Sequence, residues 1–585
     1  MMEETRMDYY DLGTHGRRVT TSSPEAQTWF DRGLVWTYAF NHEEAVACFE
    51  AAAAADPDCA MARWGIAYAL GPNYNKPWEA FDTEDLARTV DRTHAAVRLA
   101  HDTAAVAATP VERALIDALR ARYPRAEPVA DCAVWNAPYA EAMRAVYELA
   151  PDDLDLATLY ADALMNLTPW QLWDIRTGEP AEGARTREAR AVLERALATA
   201  EGARHPGVVH MYIHLMEMSP TPEAALPVAD RLRGLVPDAG HLQHMPTHLD
   251  VLCGDYRRVV SDNSAAIAAD EKYRARAGAM NFYTLYRSHN YHFKIYGAMF
   301  LGQSRVALET AAALEESISE DLLRVQSPPM ADWLEGFLAM RVHVLIRFGR
   351  WAEILDLPLP ADPELYSVTT AMLRYARGVA LSATGRIAGA EAERELFREA
   401  LTRVPGTRML FNNTCADILA VASAMLDGEL EYRKGRYDAA FAALRRAVEL
   451  DDDLPYDEPW GWMQPTRHAY GALLLEQGRV EEAAAVYRAD LGLDDTLPRP
   501  LQHPGNVWAL HGLHECLVRL GRTGEARILA QQLKMAAAVA DVPVEASCFC
   551  RLERVAAPLG GGDSPGDSTG GTDPVGAGDC CGAEG

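Results

Sequence analysis

The chain has 585 residues, a formal net charge of −28 and only 8% aromatic residues. A chain of this length does not close around one compact core, so several domains or a stacked repeat are expected. The acidic balance argues against binding to DNA, RNA or an anionic membrane surface, because all three reward basic patches.

No targeting or membrane segment is predicted. Residues 1–10 are acidic and lack an apolar run, and no long uninterrupted apolar stretch occurs elsewhere. We therefore expect a cytoplasmic protein. Most of the ten cysteines stand singly inside helical patterns, as Cys48 and Cys253 do, which is typical of small buried residues in a reduced compartment.

The first helix is predicted after a polar lead-in, residues 1–23. Ser23 supplies a cap, and Pro24 and Glu25 occupy the first turn. The residues that follow resemble the tetratricopeptide repeat, a helix pair of about 34 residues in which small residues let the helices approach and a proline ends the second. The resemblance is carried by Gly33, Ala45, Phe49, Ala52 and Pro57.

The same register recurs later in the chain, with Gly428 followed by Ala440 and Gly471 followed by Ala483. The sequence predicts an all-α fold without a sheet: a tetratricopeptide-repeat α-solenoid, a right-handed superhelix of helix pairs over residues 24–556. Residues 557–585 are rich in Gly, Ser, Asp and Pro and predict a disordered tail, which carries Cys580 and Cys581.

Two aromatic, proline-bearing segments interrupt the repeats. One holds Trp170 and Trp173, and the other, residues 455–465, holds Trp460 and Trp462. Loops this apolar either fold over the concave face as lids or pack structurally. Both interpretations stay open.

Histidines concentrate in one part of the chain: eight of the seventeen lie between His205 and His292. In a tetratricopeptide solenoid, the second, fifth, ninth and twelfth residues of each first helix face the concave groove. Repeats beginning at 206, 240 and 288 place the candidate residues at these positions, and those residues are His210, His214, Glu217, His241, His244, His248, His289 and His292.

This spacing predicts a metal site, because imidazoles three or four residues apart share a helix face and can hold one ion. The alternative is a groove whose histidines bond to one another and to tyrosines. His343 and His468 could reach the groove from further along the chain, whereas His42 is interpreted as a satisfied turn residue.

Five phrases resemble a widespread bacterial family of tetratricopeptide proteins with histidine motifs, from about Leu12 to Gly521. They are F-N-H-E-E-A, C-A-M-A-R-W-G-I-A-Y-A-L-G-P-N, H-M-Y-I-H-L-M-E-M-S, A-G-H-L-Q-H-M-P-T-H and Y-R-S-H-N-Y-H-F. The resemblance implies a helical solenoid with a histidine-lined site and no particular reaction.

Two hypotheses of function follow. The first is a metalloenzyme in which the seven groove-facing histidines hold one or two transition ions and Glu217 acts as ligand or proton acceptor. Copper is favoured over iron or zinc because the set is rich in nitrogen and poor in oxygen donors, which suggests an oxygen-using oxidoreductase acting on a small molecule. A zinc- or iron-dependent hydrolase or lyase is a further alternative. The second hypothesis is a non-catalytic scaffold that binds a protein or peptide partner.

Overall fold

The protein is described here by a computed structural model covering residues 9–552. Helices dominate it, as predicted. The first part of the chain contains α1 (Pro24–Tyr38), α2 (His42–Ala55), α3 (Ala60–Leu70), α4 (Thr83–Ala107), α5 (Pro110–Arg122), α6 (Asn136–Leu149), α7 (Leu154–Met165) and α8 (Thr186–Leu197).

The middle part carries the histidine-rich segment on shorter helices. They are α9 (Pro206–Glu217), α10 (Leu226–Ala229), α11 (Gly240–His244), α12 (Pro246–Cys253), α13 (Tyr256–Ala277), α14 (Thr284–Phe300), α15 (Ser304–Ser317), α16 (Glu320–Leu323), α17 (Met330–Leu334), α18 (Met340–Arg347) and α19 (Trp351–Asp356).

The last part returns to regular helix pairs. They are α20 (Ser367–Ala383), α21 (Ile387–Leu401), α22 (Cys415–Arg433), α23 (Tyr437–Asp452), α24 (Thr466–Glu476), α25 (Val480–Asp490), α26 (Val507–Arg519) and α27 (Thr523–Ala537). No helix within residues 9–552 is long and apolar enough to cross a membrane.

One small sheet departs from the prediction of a sheet-free fold. The strands β1 (Met409–Leu410) and β2 (Asn413–Thr414) pair antiparallel across a tight turn. Phe411 in that turn has φ 48°, a left-handed conformation. The ladder is only two residues long on each side, too short for the alternating pattern by which strands are recognised in a sequence.

The predicted small residues do let helices approach. A Cβ atom on Gly33 of α1 would lie 2.7 Å from the ring of Phe49 on α2, and one on Gly65 of α3 would lie 2.4 Å from the same ring. Phe49 is fully buried between these three helices. The repeat geometry here therefore depends on two glycines facing one aromatic ring.

The histidine-bearing repeat is less regular than the prediction implied. The helix that begins at Gly240 breaks at Met245 because Pro246 offers no backbone N–H, and it continues as α12. α12 ends at Gly254, which has φ 81° and caps the helix in the left-handed conformation.

The lead-in is packed against the helices from Tyr9 onward. Arg17 donates to Asp153 at 2.7 Å and to Asp155 at 3.0 Å, so this segment is tied to the start of α7. The predicted tail, residues 557–585, lies outside the described residues.

Two apolar cores meet at the histidine-rich segment. One core comprises residues between Leu12 and Leu249 together with Tyr273, Tyr283 and Tyr286, and the other draws on residues between Val251 and Cys550. Tyr456, from the loop between α23 and α24, packs in the first core although its neighbours in sequence belong to the second. The boundary between the cores therefore runs through α12, which carries His248.

Candidate metal centre

Helix α9 aims its polar residues at the interior. His210, His214 and Glu217 lie on one face of it and are all fully buried. The i, i+4 spacing of the two histidines brings their ring centroids to 4.8 Å. The repeat register predicted that these three residues face a concave groove; they share one helix face, and in the structure that face is buried.

Helices α11, α12 and α14 supply the remaining imidazoles. His241 and His244 lie on α11, His248 on α12 and His289 on α14, and all four are at most 7% exposed. Together with α9, these elements surround the boundary between the two cores.

The six histidines form two groups of three. His210, His214 and His241 make the first trio, and His244, His248 and His289 make the second; within each trio the potential ligand atoms lie within 4.8 Å of one another. The trios touch, since the ring centroids of His214 and His248 are 5.8 Å apart. Residues 9–552 thus contain two adjacent sites of the size that a metal ion requires.

In the first trio, Nε2 of His210 lies 3.1 Å from Nε2 of His241. Nδ1 of His210 lies 2.6 Å from the carbonyl oxygen of Tyr38. A carbonyl can only accept, so His210 carries its proton on Nδ1 and its Nε2 is an unprotonated lone pair. The buried Nε2 of His214 has no hydrogen-bond partner.

In the second trio, Nε2 of His244 lies only 2.7 Å from Nε2 of His248. The amide of Asn263 donates to the carbonyl of Val259 and to Thr247, which leaves its oxygen to accept from Nδ1 of His244 at 2.7 Å. The orientation of the Asn263 side chain thus fixes the proton of His244 on Nδ1.

His248 has the same tautomer for a different reason. Its Nδ1 lies 2.8 Å from Oε2 of Glu217 and also contacts Glu458. With both Nδ1 protons committed, the lone pairs of His244 and His248 face each other when both rings are neutral. Such lone pairs repel, and the repulsion is removed by a proton shared between the two nitrogens or by a metal ion that both of them coordinate.

Burial favours neutral rings. Desolvation, followed by the neighbouring imidazoles, holds the pKa of His210, His214, His241, His244 and His289 well below the usual histidine value. Neutral imidazole is the form that binds a metal ion.

Glu217 and Glu458 form a buried carboxyl pair outside the trios. Burial and then the charge of Glu458 raise the pKa of Glu217 to about 8, and burial raises the pKa of Glu458 to about 8. Two carboxyls this close share a proton at neutral pH. Glu217 orients His248 and, through its other oxygen at 3.1 Å, Nδ1 of His214.

Three of these partners were missed in the sequence. Tyr38 contributes a backbone oxygen, which any residue type would offer, and Asn263 is an ordinary residue in the middle of α13. Glu458 did have a signal, because it lies in the 455–465 loop singled out for its tryptophans. Trp460 and Trp462 themselves are buried, against His503 and His343 respectively.

His292, a predicted ligand, does not join either trio. Its Nε2 lies 2.8 Å from the sulfur of Met463, and its ring packs on Phe337. His292 lies one turn beyond His289 on α14, where Met463 and Phe337 of the second core surround it. His343 and His468 are likewise outside the trios, the latter bonded to Asp490 at 3.0 Å.

His205 belongs to a peripheral cluster with His15 and Asp155 that provides a contrast. The backbone N–H of Val208 donates to Nδ1 of His205, so Nε2 carries the proton and donates to Asp155 at 3.1 Å. Asp155 also accepts from Tyr38 at 2.6 Å. The proton on Nε2 occupies the position that an ion would need, so this cluster is a closed hydrogen-bond network.

A phenylalanine ring packs against each trio. The ring of Phe40 lies 4.5 Å from His210 and 5.5 Å from His241, centroid to centroid, while Phe293 lies 4.6 Å from His244 and 5.0 Å from His248. These rings exclude water from the back of the site.

A cavity of about 950 Å³ reaches the second trio. Its lining includes His248 and His289, together with Trp170, Trp173 and Tyr286. Trp170 also packs edge-on against His214, with centroids 5.9 Å apart. The first aromatic loop therefore borders the cavity, whereas both tryptophans of the second loop are core residues.

None of the cysteines within residues 9–552 joins a group of potential metal ligands. Cys253 accepts a contact from Arg499 at 3.7 Å, and burial raises its pKa to about 11. Cys548 and Cys550 are joined by a disulfide, which departs from the prediction of reduced cysteines. Cys580 and Cys581 fall outside the described residues.

Comparison with known protein families identifies one repeat in the chain. A tetratricopeptide repeat family matches residues 428–454. Similar solved structures include Cut9 with Hcn1 of the APC/C hetero-tetramer (14% identity, 84% of this chain and 76% of that chain, TM-score 0.30). Yeast Tom70 is similar at 12% identity over 87% of this chain and 99% of that chain, with TM-score 0.25. No curated protein matches.

The chain thus has an all-α, tetratricopeptide-like fold, a type compatible with a scaffold for protein interactions. Within this fold, residues 9–552 contain histidine and carboxylate groups of a geometry that can hold metal ions.

Proposed function

We propose that the two histidine trios hold two transition-metal ions, copper by preference, and that the protein is an oxygen-using oxidoreductase acting on a small organic molecule. The observation that carries the proposal is the pair of facing Nε2 atoms of His244 and His248, 2.7 Å apart with both Nδ1 protons committed elsewhere. A metal ion that both nitrogens coordinate from one side would remove the repulsion, and a proton shared between the rings is the alternative that reconstitution with copper distinguishes.

The outer partners support the same proposal. In metal sites, a ligating histidine almost always donates its other N–H to a carboxylate, carbonyl or amide oxygen. His210, His214, His244 and His248 all do so here. In a histidine cluster with a purely structural role, the Nε2–H groups would donate hydrogen bonds to acceptors, as His205 does to Asp155.

The donor set favours copper. The potential ligand atoms of both trios are imidazole nitrogens. The oxygens of the neighbouring carboxylate, Glu217, accept hydrogen bonds from the Nδ1–H groups of His214 and His248. Copper has the highest affinity of the common divalent ions for nitrogen donors. Bound copper would supply the electron transfer between an organic substrate and oxygen.

The chain's own residues serve this chemistry in three ways. Glu217 and Glu458 hold a shared proton beside His248, Phe40 and Phe293 keep water from the ligands, and the cavity at His248 and His289 gives a small molecule access.

The test is reconstitution with copper alone. We expect about two copper ions per chain in the wild type, and a large loss in the His244→Ala, His248→Ala double variant. His101→Ala, at an exposed position, is the matched control. Absence of bound copper in the wild type overturns the proposal. Full activity with zinc and without oxygen would point instead to a hydrolase or lyase.

A protein-binding scaffold is the second candidate, favoured by the repeat match at residues 428–454. The predicted groove positions of α9, α11 and α12 are buried, so a peptide does not reach them without rearrangement. A scaffold would bind its partner equally well with His244 and His248 replaced by alanine.

A further inference from the structure

The cavity that reaches the second trio is strongly acidic. Eight carboxylic side chains line it, against one cationic residue, Arg176. The eight are Glu79, Asp82, Asp174, Glu182, Asp332, Asp452, Asp453 and Asp457.

Only three of these carboxylates are neutralised by the protein. Asp332 is paired with Arg408, Asp452 with Arg467, and Asp453 with Arg176. The other five have no ion-pair partner among the described residues. The single cation in the lining is therefore already engaged. Burial raises the pKa of Asp457 well above its usual value, which favours its neutral form, so the uncompensated negative charge lies on Glu79, Asp82, Asp174 and Glu182.

Aromatic rings line the same cavity and lead to the histidines. Tyr286 lies 5.0 Å from His241, and Phe411 lies 4.5 Å from His289, centroid to centroid. Phe282, Trp333 and Trp170 complete an aromatic wall. Aromatic faces attract cations as well as apolar groups, most strongly where water is excluded.

The inner end of the cavity holds polar atoms that the protein leaves unsatisfied. His289 is 7% exposed, lines the cavity and has no hydrogen-bond partner for Nδ1. The indole N–H of Trp333, also in the lining, is buried without an acceptor. A ligand that fills the cavity would meet both groups.

Resting on the proposed function, we infer that the substrate of this site is an organic cation, an amine carried on an aromatic or apolar body. The body lies against the rings of Tyr286 and Phe411 beside the second trio, and the charged nitrogen lies among the unpaired carboxylates. The closest analogue with a carboxylate in place of the amine would be repelled by the same wall.

The position of the charges suggests how the cation enters. Glu79, Asp174 and Glu182 are exposed and mark the mouth, so the charge that attracts the cation lies there. Asp457 is 2% exposed and lies beside the inner end, where burial raises its pKa well above the usual value and favours a neutral carboxyl that can still accept a hydrogen bond. Asp457 accepts hydrogen bonds from the side chain of Asn413 and from the backbone of Asn412, which hold its carboxyl group in place.

The experiment is calorimetric binding to the full-length, metal-free protein with three matched probes: 2-phenylethylamine, 2-phenylethanol and 3-phenylpropanoate. We expect the amine to bind most tightly and the anion least. The affinity for 2-phenylethylamine should fall as salt is added, because salt screens the exposed carboxylates.

The matched variants separate charge from packing. Glu79→Gln with Glu182→Gln keeps size and removes two charges at the mouth, and we expect the amine to bind roughly threefold to tenfold more weakly while the alcohol is unaffected. Glu364→Gln with Glu481→Gln, at exposed positions outside the lining, should change neither probe.

The outcomes distinguish this inference from the proposed function. Copper retention without preference for the amine over 3-phenylpropanoate overturns the substrate class alone. Preferential amine binding to a protein that retains no copper supports the acidic, aromatic site and overturns the oxidoreductase.

Discussion

Glu217 accepts a hydrogen bond from Nδ1 of His248 at 2.8 Å, on the side of the imidazole opposite His244. The other oxygen of the same carboxyl group accepts from His214 of the first trio. One buried side chain therefore orients an imidazole in each trio, and the two candidate sites share an outer partner.

Replacing Glu217 with glutamine should weaken both sites at once. The amide can accept on one atom only, so either His214 or His248 loses its orienting acceptor. We expect copper affinity to fall about tenfold to a hundredfold, measured by competition with a chelator. Glu481→Gln, on the surface of α25, is the control. Unchanged affinity in Glu217→Gln would show that the carboxyl does not support the ligands.

His214→Ala and His292→Ala should differ in metal content although both remove a fully buried imidazole. Only His214 lies in a trio, so its loss should lower the copper bound per chain. Both variants should lose thermal stability because each leaves a void. Metal analysis of the two proteins decides the matter, and equal copper loss would return His292 to the ligand set.

The trio histidines should make the metal-free protein lose stability as acid is added. Those other than His248 have a folded pKa well below the unfolded value of 6.5. As pH falls through 6.5, the unfolded chain takes up protons at these histidines that the folded chain does not, so stability is lost at these groups. Glu217 and Glu458 act in the opposite direction over the same range, because their folded pKa of about 8 lets the folded chain bind protons that the unfolded carboxyls do not. One pH unit below 6.5, each such group costs about 1.4 kcal/mol.

Melting temperatures at pH 7.5 and pH 5.5 test this expectation. Copper should oppose the loss by holding the rings neutral, until acid displaces the ion. The exposed His101 serves as control, since its replacement by asparagine should leave the pH dependence intact. His214→Ala removes one of these histidines, so its melting temperature should change less unfavourably towards acid than that of the wild type, and an identical pH dependence would contradict the expectation.

Gly65→Ala should destabilise the first helix repeats. The added Cβ would lie 2.4 Å from the ring of Phe49, which is fully buried and cannot move freely. We expect a loss of about 1–3 kcal/mol, seen as a lower melting temperature. Gly524→Ala in α27 meets no atom within 4 Å and should be neutral or slightly stabilising. Equal effects would mean that crowding at Phe49 is not the cause.

Much of the site was readable in the sequence because the repeat has a fixed register. Repeats beginning at 206 and 240 put His210, His214, His241, His244 and His248 on the predicted groove-facing positions of their helices, and the structure brings these side chains together but buries the faces of α9, α11 and α12 that carry them. That reasoning treats each repeat alone, and it places His292 as readily as His289.

The parts that could not be read depend on contacts between distant segments. Glu458 approaches His248 across more than two hundred residues, and Tyr38 contributes an oxygen common to every residue. Periodicity carries no information about such pairs.

The positions of the ligands along the chain also determine the order in which they are synthesised. Every histidine of the trios precedes residue 290, whereas Glu458 lies more than 160 residues later. At ordinary translation rates that interval is on the order of ten seconds or more. The nascent chain therefore carries all six imidazoles before the second carboxyl group exists, and the loop that brings Glu458 closes over ligands that have already emerged from the ribosome.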